Sequence, residues 1–225
     1  MTVGASFVST QDAARALGVT VQHVRRLADS GDLVRVARGL IDRDSLESYI
    51  AERHGGRTRV WAEHTAWAAV AMLSGVSVDW LGPSQTSRLR GSLRAITDTA
   101  DLVTRTRDRA RNRTYRAHPS ALRRLHDELV IVDTTGLGLV GATTDSVDGY
   151  LDVDRLDSTL GSFSLQPDPS GNVTLRATGL DLGVVRDLAL QGVVLAALDA
   201  AASRDPRERG VGERALADAL DRFQR

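Results

Sequence analysis

The chain contains no cysteine and no lysine, and aromatic residues make up only 4% of it. The absence of cysteine excludes disulfide bonds, thiolate zinc sites and thiol nucleophiles. No segment is apolar for the roughly 20 residues that a membrane-spanning helix needs, and the first residues lack the basic and apolar regions of a signal peptide. We therefore expect a cytoplasmic protein without a membrane partner.

Charge is distributed unevenly along the 225 residues. All 29 basic residues are arginines, and 29 acidic residues make the formal net charge zero. Residues 1–126 hold 20 arginines against 12 acidic residues, whereas residues 127–225 hold 9 against 17. The two parts therefore carry net charges of +8 and −8. This asymmetry predicts that the first part binds an anionic partner.

The N-terminal segment has the local signals of two short helices joined by a tight turn. Ser9 is a favourable N-cap for the first helix, and Gly18 suits the turn that ends it. Thr20 caps the second helix, VQHVRRLADS. Ala14, Gly18 and Val24 have the spacing of a helix-turn-helix, which needs a small residue where its helices cross, a glycine in the turn and a branched apolar residue in the second helix.

A short two-stranded wing and a third helix follow. Leu33–Ala37 and Leu40–Ile41 are the predicted strands, with Arg38–Gly39 as their turn, and SLESYIAERH is the predicted helix. A helix that lies in the major groove presents side chains to base edges and phosphates, and a wing reaches the adjacent backbone or minor groove. The expected DNA-binding residues are Thr20, Gln22, His23, Arg25, Arg26, Arg35 and Arg38.

This segment resembles the winged helix-turn-helix of excisionases and MerR-type regulators. The family pattern is a capped AAxxLGV, a second helix with VRR, then GxL, a wing and a final SLxxYI, and the matching residues here are STQDAARALGVTVQHVRRLADSGDLVRVARGLIDRDSLESYI. The wing, RVARGLID, is shorter than in many members. The resemblance covers about a fifth of the chain and implies a DNA-binding domain over residues 1–55; a helical domain that binds protein instead is the alternative.

A basic helical region is predicted over residues 56–113. Helices are expected from Trp61 to Leu73, from Pro83 or Ser84, and from Asp101. Between Arg88 and Arg124 there are 11 arginines against 3 acidic residues, which favours a nucleic-acid contact over a salt-bridged surface. The additional nucleic-acid contacts that we expect are Arg88, Arg90, Arg94, Arg107 and Arg111.

An acidic α/β domain with a small sheet and two terminal helices is predicted over residues 114–225. Thr114–His118, Leu129–Val132 and Gly149–Val153 have strand patterns, and Phe163–Leu165 and Val173–Arg176 are predicted to pair as a hairpin around PDPSGN. Val184–Ala202 is predicted to be one buried helix, and Asp205–Pro206 to begin the last helix. The whole chain is therefore predicted to be a multidomain α+β protein.

The chain as a whole is similar to AbiEi-like antitoxins of actinobacteria. The similar segments are WAEHTAWAAVAMLSG, WLGPSQTSRLRGSLR, YRAHPSALRRLHDEL and LDAAASRDPRERGVGERALADAL, after the winged helix-turn-helix. The resemblance implies the antitoxin of a type IV toxin-antitoxin pair, which represses its own promoter, as a homodimer or at paired sites, and counteracts a nucleotidyltransferase toxin encoded next to it. An excisionase-like or MerR-like regulator without a toxin is the alternative.

An enzyme is the competing class, and residues 136–154 carry its motifs. Gly136–Gly141 matches G-x-G-x-x-G after an apolar segment, and Asp152 and Asp154 would point to the same face of a strand and could bind magnesium. No helical stripe follows the glycines, and the five histidines have no metal-ligand spacing. We therefore expect no enzymatic activity, no cofactor and no metal.

Overall fold

The structure, a computed structural model, describes residues 7–29, 32–43, 45–46, 49–50, 59–139, 145–203 and 205–225. The chain divides into two compact units, Met1–Arg57 and Thr58–Arg225, which we call the N-terminal and C-terminal units. Each unit combines helices with a small sheet, so the predicted α+β class is confirmed.

The N-terminal unit packs helices on a three-stranded antiparallel sheet. Its elements are β1 (Phe7–Ser9), α1 (Thr10–Leu17), α2 (Val21–Asp29), β2 (Arg35–Ala37) and β3 (Leu40–Asp42). The strand order is β1-β3-β2. The sequence pattern predicted β2 and β3 but not β1, which pairs with β3 through Val8 and Ile41. Of the predicted third helix, Ser45, Leu46, Tyr49 and Ile50 are helical, and residues 47–48 and 51–54 lie outside the described residues.

Local capping interactions fix the two ends of α1. The Asp12 N–H donates to Ser9 Oγ at 3.1 Å, and the Ser9 hydroxyl donates to the Asp12 carboxylate at 2.7 Å. This side-chain hydrogen bond from Ser9 lowers the pKa of Asp12. Gly18 has a φ of +65°, a conformation that favours glycine, and the Val19 N–H then donates to the Ala14 carbonyl at 3.0 Å. The cap at Ser9 and the turn at Gly18 are therefore confirmed.

The C-terminal unit surrounds a four-stranded sheet with helices. Its elements are α3 (Glu63–Leu73), α4 (Pro83–Arg94), α5 (Thr99–Thr106), β4 (Arg111–Arg116), α6 (Pro119–Glu128), β5 (Val147–Asp152), α7 (Leu156–Ser162), β6 (Gln166–Pro167), β7 (Val173–Thr178), α8 (Leu182–Leu190), α9 (Val194–Ala201) and α10 (Pro206–Gln224). The strand order is β5-β7-β4-β6, in which β5 and β7 are parallel and the other pairs are antiparallel.

Several predicted elements of this unit are corrected. The expected hairpin of Phe163–Leu165 with Val173–Arg176 is wrong, because β4 lies between β6 and β7 and pairs with both. The Leu129–Val132 segment is not a strand and contributes one bridge, between Val130 and Tyr150. The long helix expected over Val184–Ala202 is interrupted at residues 191–193, so that α8 and α9 are separate.

Two further boundaries differ from their predictions. The strand expected at Thr114–His118 begins earlier, at Arg111, and α5 begins at Thr99 with Asp98 as its N-cap rather than at Asp101. The predicted start of the last helix is confirmed, because the Asp205 side chain accepts the Arg207 N–H at 2.7 Å. The sequence therefore predicted the ends of helices more reliably than the pairing of strands.

The basic helical region and the last two helices share one hydrophobic core. Trp67 of α3, Leu93 of α4 and Leu102 of α5 are buried together with Leu195 of α9 and Leu216 of α10. The boundary expected near residue 113 falls inside this C-terminal unit. Helices α9 and α10 pack so closely that a Cβ on Gly212 would collide with the backbone of Ala197 and Ala201.

A buried polar network connects the sheet to these helices. Asp199 accepts hydrogen bonds from Arg109 and, at 2.8 Å, from the Tyr150 hydroxyl, and it forms an ion pair with Arg176 at 3.0 Å. Arg176 also forms a bidentate ion pair with Asp148, with distances of 2.7 and 2.8 Å. Burial raises the pKa of Tyr150, although Arg109 has the opposite effect. The phenol therefore stays protonated, and its hydroxyl donates a hydrogen bond to Asp199.

Candidate nucleic-acid interface

The exposed face of α2 carries the polar residues expected to contact DNA. Val24 and Leu27 are buried against the core of the N-terminal unit, and Gln22, Arg25 and Arg26 are exposed on the opposite side. Gln22, Arg25 and Arg26 are three and four residues apart, so they form one row along the helix. The structure therefore brings these three predicted residues together on a solvent-facing surface.

Thr20 and His23 lie at the edge of this row; Thr20 caps α2 as predicted, whereas His23 is less exposed than expected. His23 is half-buried, because its position on the helix is turned toward the flank rather than toward the centre of the exposed face. Thr20 acts as the N-cap: its Oγ1 accepts the His23 N–H at 3.2 Å, and its hydroxyl hydrogen can still be donated to another group. The first turn of α2 contains no acidic residue, so the positive end of the helix dipole is not neutralised there.

The hairpin presents its two arginines in different environments. Arg35 of β2 donates to the carboxylate of Asp29 at 2.8 Å and to the Arg25 carbonyl at 3.4 Å, which ties the hairpin to the end of α2. Both side chains of this ion pair are well exposed, at 42% for Arg35 and 64% for Asp29. Arg38 lies at the exposed hairpin turn beside Gly39, whose φ is +82°. The sequence analysis did not include Asp29, although it precedes Arg35 by only six residues.

The arginines expected to form a second contact lie in the C-terminal unit. Arg88, Arg90 and Arg94 are exposed on α4, which has no acidic residue, and Arg90 and Arg94 share a face. The Arg88 side chain donates to the Ser84 carbonyl at 3.2 Å and so folds back along the helix. These three side chains make α4 a basic helix with its charge directed to solvent.

Arg107 lies in the short turn before β4, and Arg111 is the first residue of β4. Both are exposed, and Arg107 lies 3.5 Å from the Asp108 carboxylate. Arg113 is also exposed and lies on the same face of β4 as Arg111, because side chains alternate along a strand. The sequence analysis missed Arg113, although its position two residues after Arg111 was a sufficient signal.

Not every arginine of the Arg88–Arg124 run is available to a ligand. Arg109 is buried in the network around Asp199, Arg105 pairs with Asp101 at 3.0 Å, and Arg116 pairs with Asp168 at 2.6 Å. The run therefore presents less free charge than its composition suggests.

The structure does not assemble the motifs of the enzyme alternative into one site. Gly136 lies in a short 3-10 turn, Thr135–Leu137, that follows no strand, and Gly141 lies outside the described residues. The expected placement of Asp152 and Asp154 on one strand is wrong, because β5 ends at Asp152 and Asp154 lies in the next turn. Asp152 instead accepts the Asp154 N–H at 2.8 Å, so its carboxylate acts as a cap.

The described part of the chain contains neither a candidate metal site nor a candidate membrane span. No group of three or more histidine, aspartate or glutamate side chains there is arranged to hold a metal ion. No helix in the described residues is both long and apolar enough to cross a membrane.

The comparison with known families gives one match, at the N-terminal unit. The family described as "Transcriptional regulator, AbiEi antitoxin" matches residues 4–40, a range that contains α1, α2 and β2. No curated protein and no solved structure matches the chain. The N-terminal unit is therefore similar to transcriptional regulators of the AbiEi antitoxin type, and this similarity supports DNA binding and transcription regulation.

Proposed function

We propose that this chain is a DNA-binding transcriptional regulator whose N-terminal unit is a winged helix-turn-helix. The observation that carries the proposal is the exposed row of Gln22, Arg25 and Arg26 on α2, opposite the buried Val24 and Leu27. In this arrangement α2 lies in the major groove and the β2–β3 hairpin is the wing. The similarity of residues 4–40 to an antitoxin regulator family supports the same function.

The residues of the interface take different roles in this proposal. Gln22 and His23, with one of the two arginines, contact base edges and provide sequence preference, whereas the second arginine binds phosphate. The Thr20 hydroxyl and the unneutralised N-terminus of α2 bind another phosphate. Arg35 and Arg38 of the wing contact the adjacent backbone or minor groove.

Replacement of Arg25 and Arg26 tests the proposed docking of α2. We expect the double variant Arg25→Ala/Arg26→Ala to lose binding to the protein's own promoter fragment in a mobility-shift assay, while its circular dichroism spectrum stays unchanged. Binding by the native protein should weaken as salt increases, because each neutralised phosphate releases counterions.

Arg15→Ala is the matched control for this experiment. Arg15 is an exposed arginine of the same unit, and it lies on α1, where it pairs with Asp12 at 2.8 Å. This variant should bind DNA like the native protein. Unchanged binding by the Arg25→Ala/Arg26→Ala variant would contradict the docking of α2.

We also propose that the C-terminal unit adds nonspecific phosphate contacts through Arg88, Arg90, Arg94, Arg107 and Arg111. These five side chains are exposed, and the helix that carries the first three has no acidic residue. Charge alone cannot distinguish bases, so these contacts strengthen binding to any sequence.

The regulated promoter is proposed to be the chain's own, and the regulated activity that of a nucleotidyltransferase toxin encoded next to it. The supporting observation is the antitoxin description of the family that matches residues 4–40. Co-expression tests this finer proposal: the chain should rescue growth from the neighbouring nucleotidyltransferase. If the chain binds its promoter but does not rescue growth, it is a transcriptional regulator and not an antitoxin.

A further inference from the structure

A groove of about 320 Å³ lies on the C-terminal unit along one side of α10. The turn at Gly136–Leu137 and the residue that precedes α9, Val193, form its other side. The residues that α10 contributes are Val211, Arg214, Ala215, Asp218 and Arg222. These five positions recur every three or four residues, so they form one continuous stripe along the helix.

The charges of this stripe alternate in sign along the helix. Arg214, Asp218 and Arg222 follow one another at intervals of four residues, and all three are exposed. None of the ion pairs between described residues includes any of them. The Arg214 guanidinium lies toward Gly210, 3.4 Å from the position that a Cβ would occupy there, and so points away from Asp218.

Apolar surface lies between and beside these charges. Leu137, Val193, Val211 and Ala215 are each half-buried in the groove. Leu190 is 78% exposed and precedes Val193 by three residues, which places it within about 10 Å of the groove. A stripe in which half-buried apolar side chains alternate with charged ones of both signs has the composition of a polar protein contact rather than of a phosphate site.

Arg214 and Asp218 of the stripe have opposite charges and lie four residues apart, so an antiparallel copy of α10 can pair with both. If two copies of α10 lie antiparallel with the symmetry axis at the level of residue 216, Arg214 of each copy faces Asp218 of the other. A two-fold axis always produces such reciprocal pairs, and here both pairs join opposite charges. Ala215 lies near the axis and is small enough for two helices to approach closely.

From these observations we propose that the groove along α10 is an interface with a second copy of this chain, in which two α10 helices pack antiparallel. The helix has 19 residues and is about 28 Å long. A contact along one helix therefore covers a few hundred Å² on each copy, below the roughly 800 Å² per partner of a standard stable interface. The dimer is accordingly weak and depends on protein concentration.

Charge reversal tests this interface without involving DNA. Sedimentation velocity of the full chain over two orders of magnitude in concentration should show a monomer–dimer equilibrium. Arg214→Asp places two like-charged pairs in the dimer, as does Asp218→Arg, so each variant alone should dissociate at least about tenfold more readily than the native chain. An equimolar mixture of the two variants restores both opposite-charge pairs and should form a heterodimer.

Glu213→Arg is the control, because Glu213 is exposed on the same helix but outside the stripe. This variant should dimerise like the native chain, and all variants should keep the native tryptophan fluorescence. A native chain that stays monomeric over the whole concentration range would overturn the proposal. A mixture of Arg214→Asp and Asp218→Arg that dimerises no better than either variant alone would also overturn it.

Discussion

In the N-terminal unit the arginines of α2 and of the hairpin face solvent, whereas in the C-terminal unit Arg109 and Arg176 lie in the core and bind Asp199. Arg25 and Arg26 are exposed, whereas the side chain of Arg109 is 6% exposed and pairs with Asp199 inside the protein. Arginines of the same basic part of the sequence are therefore exposed in some places and buried in ion pairs in others. The net charge counted along the sequence does not distinguish exposed arginines from buried ones.

The largest expected effect is the loss of stability of the C-terminal unit when Asp199 is replaced. Asp199→Ala leaves Arg109 and Arg176 with a missing partner in the core, and we expect the free energy of unfolding of the C-terminal unit to fall by about 3–5 kcal/mol. Urea unfolding monitored by tryptophan fluorescence measures this unit alone, because Trp61, Trp67 and Trp80 all belong to it.

Asp187→Ala is the control for Asp199→Ala, since Asp187 is exposed on α8. Its free energy of unfolding should stay close to that of the native chain. If the two variants are equally stable, the network around Asp199 does not hold the C-terminal unit together, and the contrast between the units is lost.

Neutralisation of α4 should have an intermediate effect, on DNA affinity rather than on stability. Arg90→Gln/Arg94→Gln removes two exposed charges, each of which is proposed to neutralise about one phosphate. The slope of log affinity against log salt should become less negative by about 0.9 for each charge, and all sequences should be affected equally. Mobility-shift titrations at several salt concentrations, with specific and random duplexes, measure both quantities.

Arg186→Gln/Arg225→Gln removes two exposed arginines outside the Arg88–Arg124 run and should leave the slope unchanged. An identical slope for the α4 variant and for the native chain would exclude Arg90 and Arg94 from the DNA contact.

The smallest effect concerns the ion pair of Arg35 with Asp29. An exposed pair of this kind contributes at most about 1 kcal/mol, so Arg35 can exchange the carboxylate for a phosphate. We expect Arg35→Ala to weaken DNA binding several-fold, and Asp29→Ala to strengthen it, because the competing negative charge is removed. If Asp29→Ala weakens binding as much as Arg35→Ala does, the pair positions the hairpin and Arg35 is not a phosphate contact.

Features that depend on residues close together in the sequence were predicted more accurately than features that depend on distant residues. The cap at Ser9, the turn at Gly18 and the exposed row on α2 depend on residues a few positions apart, and all three were predicted. The predicted hairpin of Phe163–Leu165 with β7 is wrong, because β7 lies between β5 and β4, and β4 is about sixty residues earlier in the chain. A strand pattern shows which face is buried but not which strand lies beside it.

Burial of charge was the least predictable property. Arg107 and Arg109 lie in the same basic run, and only the distant residues Tyr150 and Asp199 distinguish their environments. For the candidate interface, helical periodicity was sufficient for Gln22, Arg25 and Arg26, whereas the half-buried position of His23 and the pairing of Arg35 required the fold.

The register of the two sheets has a consequence for the order in which the units form during synthesis. In the N-terminal unit the most distant strand pair joins Phe7 to Asp42, so its sheet can close once about fifty residues have left the ribosome. In the C-terminal unit Arg111 pairs with Ala177, and β4 has no neighbouring strand until β6 and β7, about fifty to sixty residues later, have been made. Closing such a long loop is slow. The N-terminal unit of the nascent chain can therefore fold before the strands that pair with β4 have been synthesised.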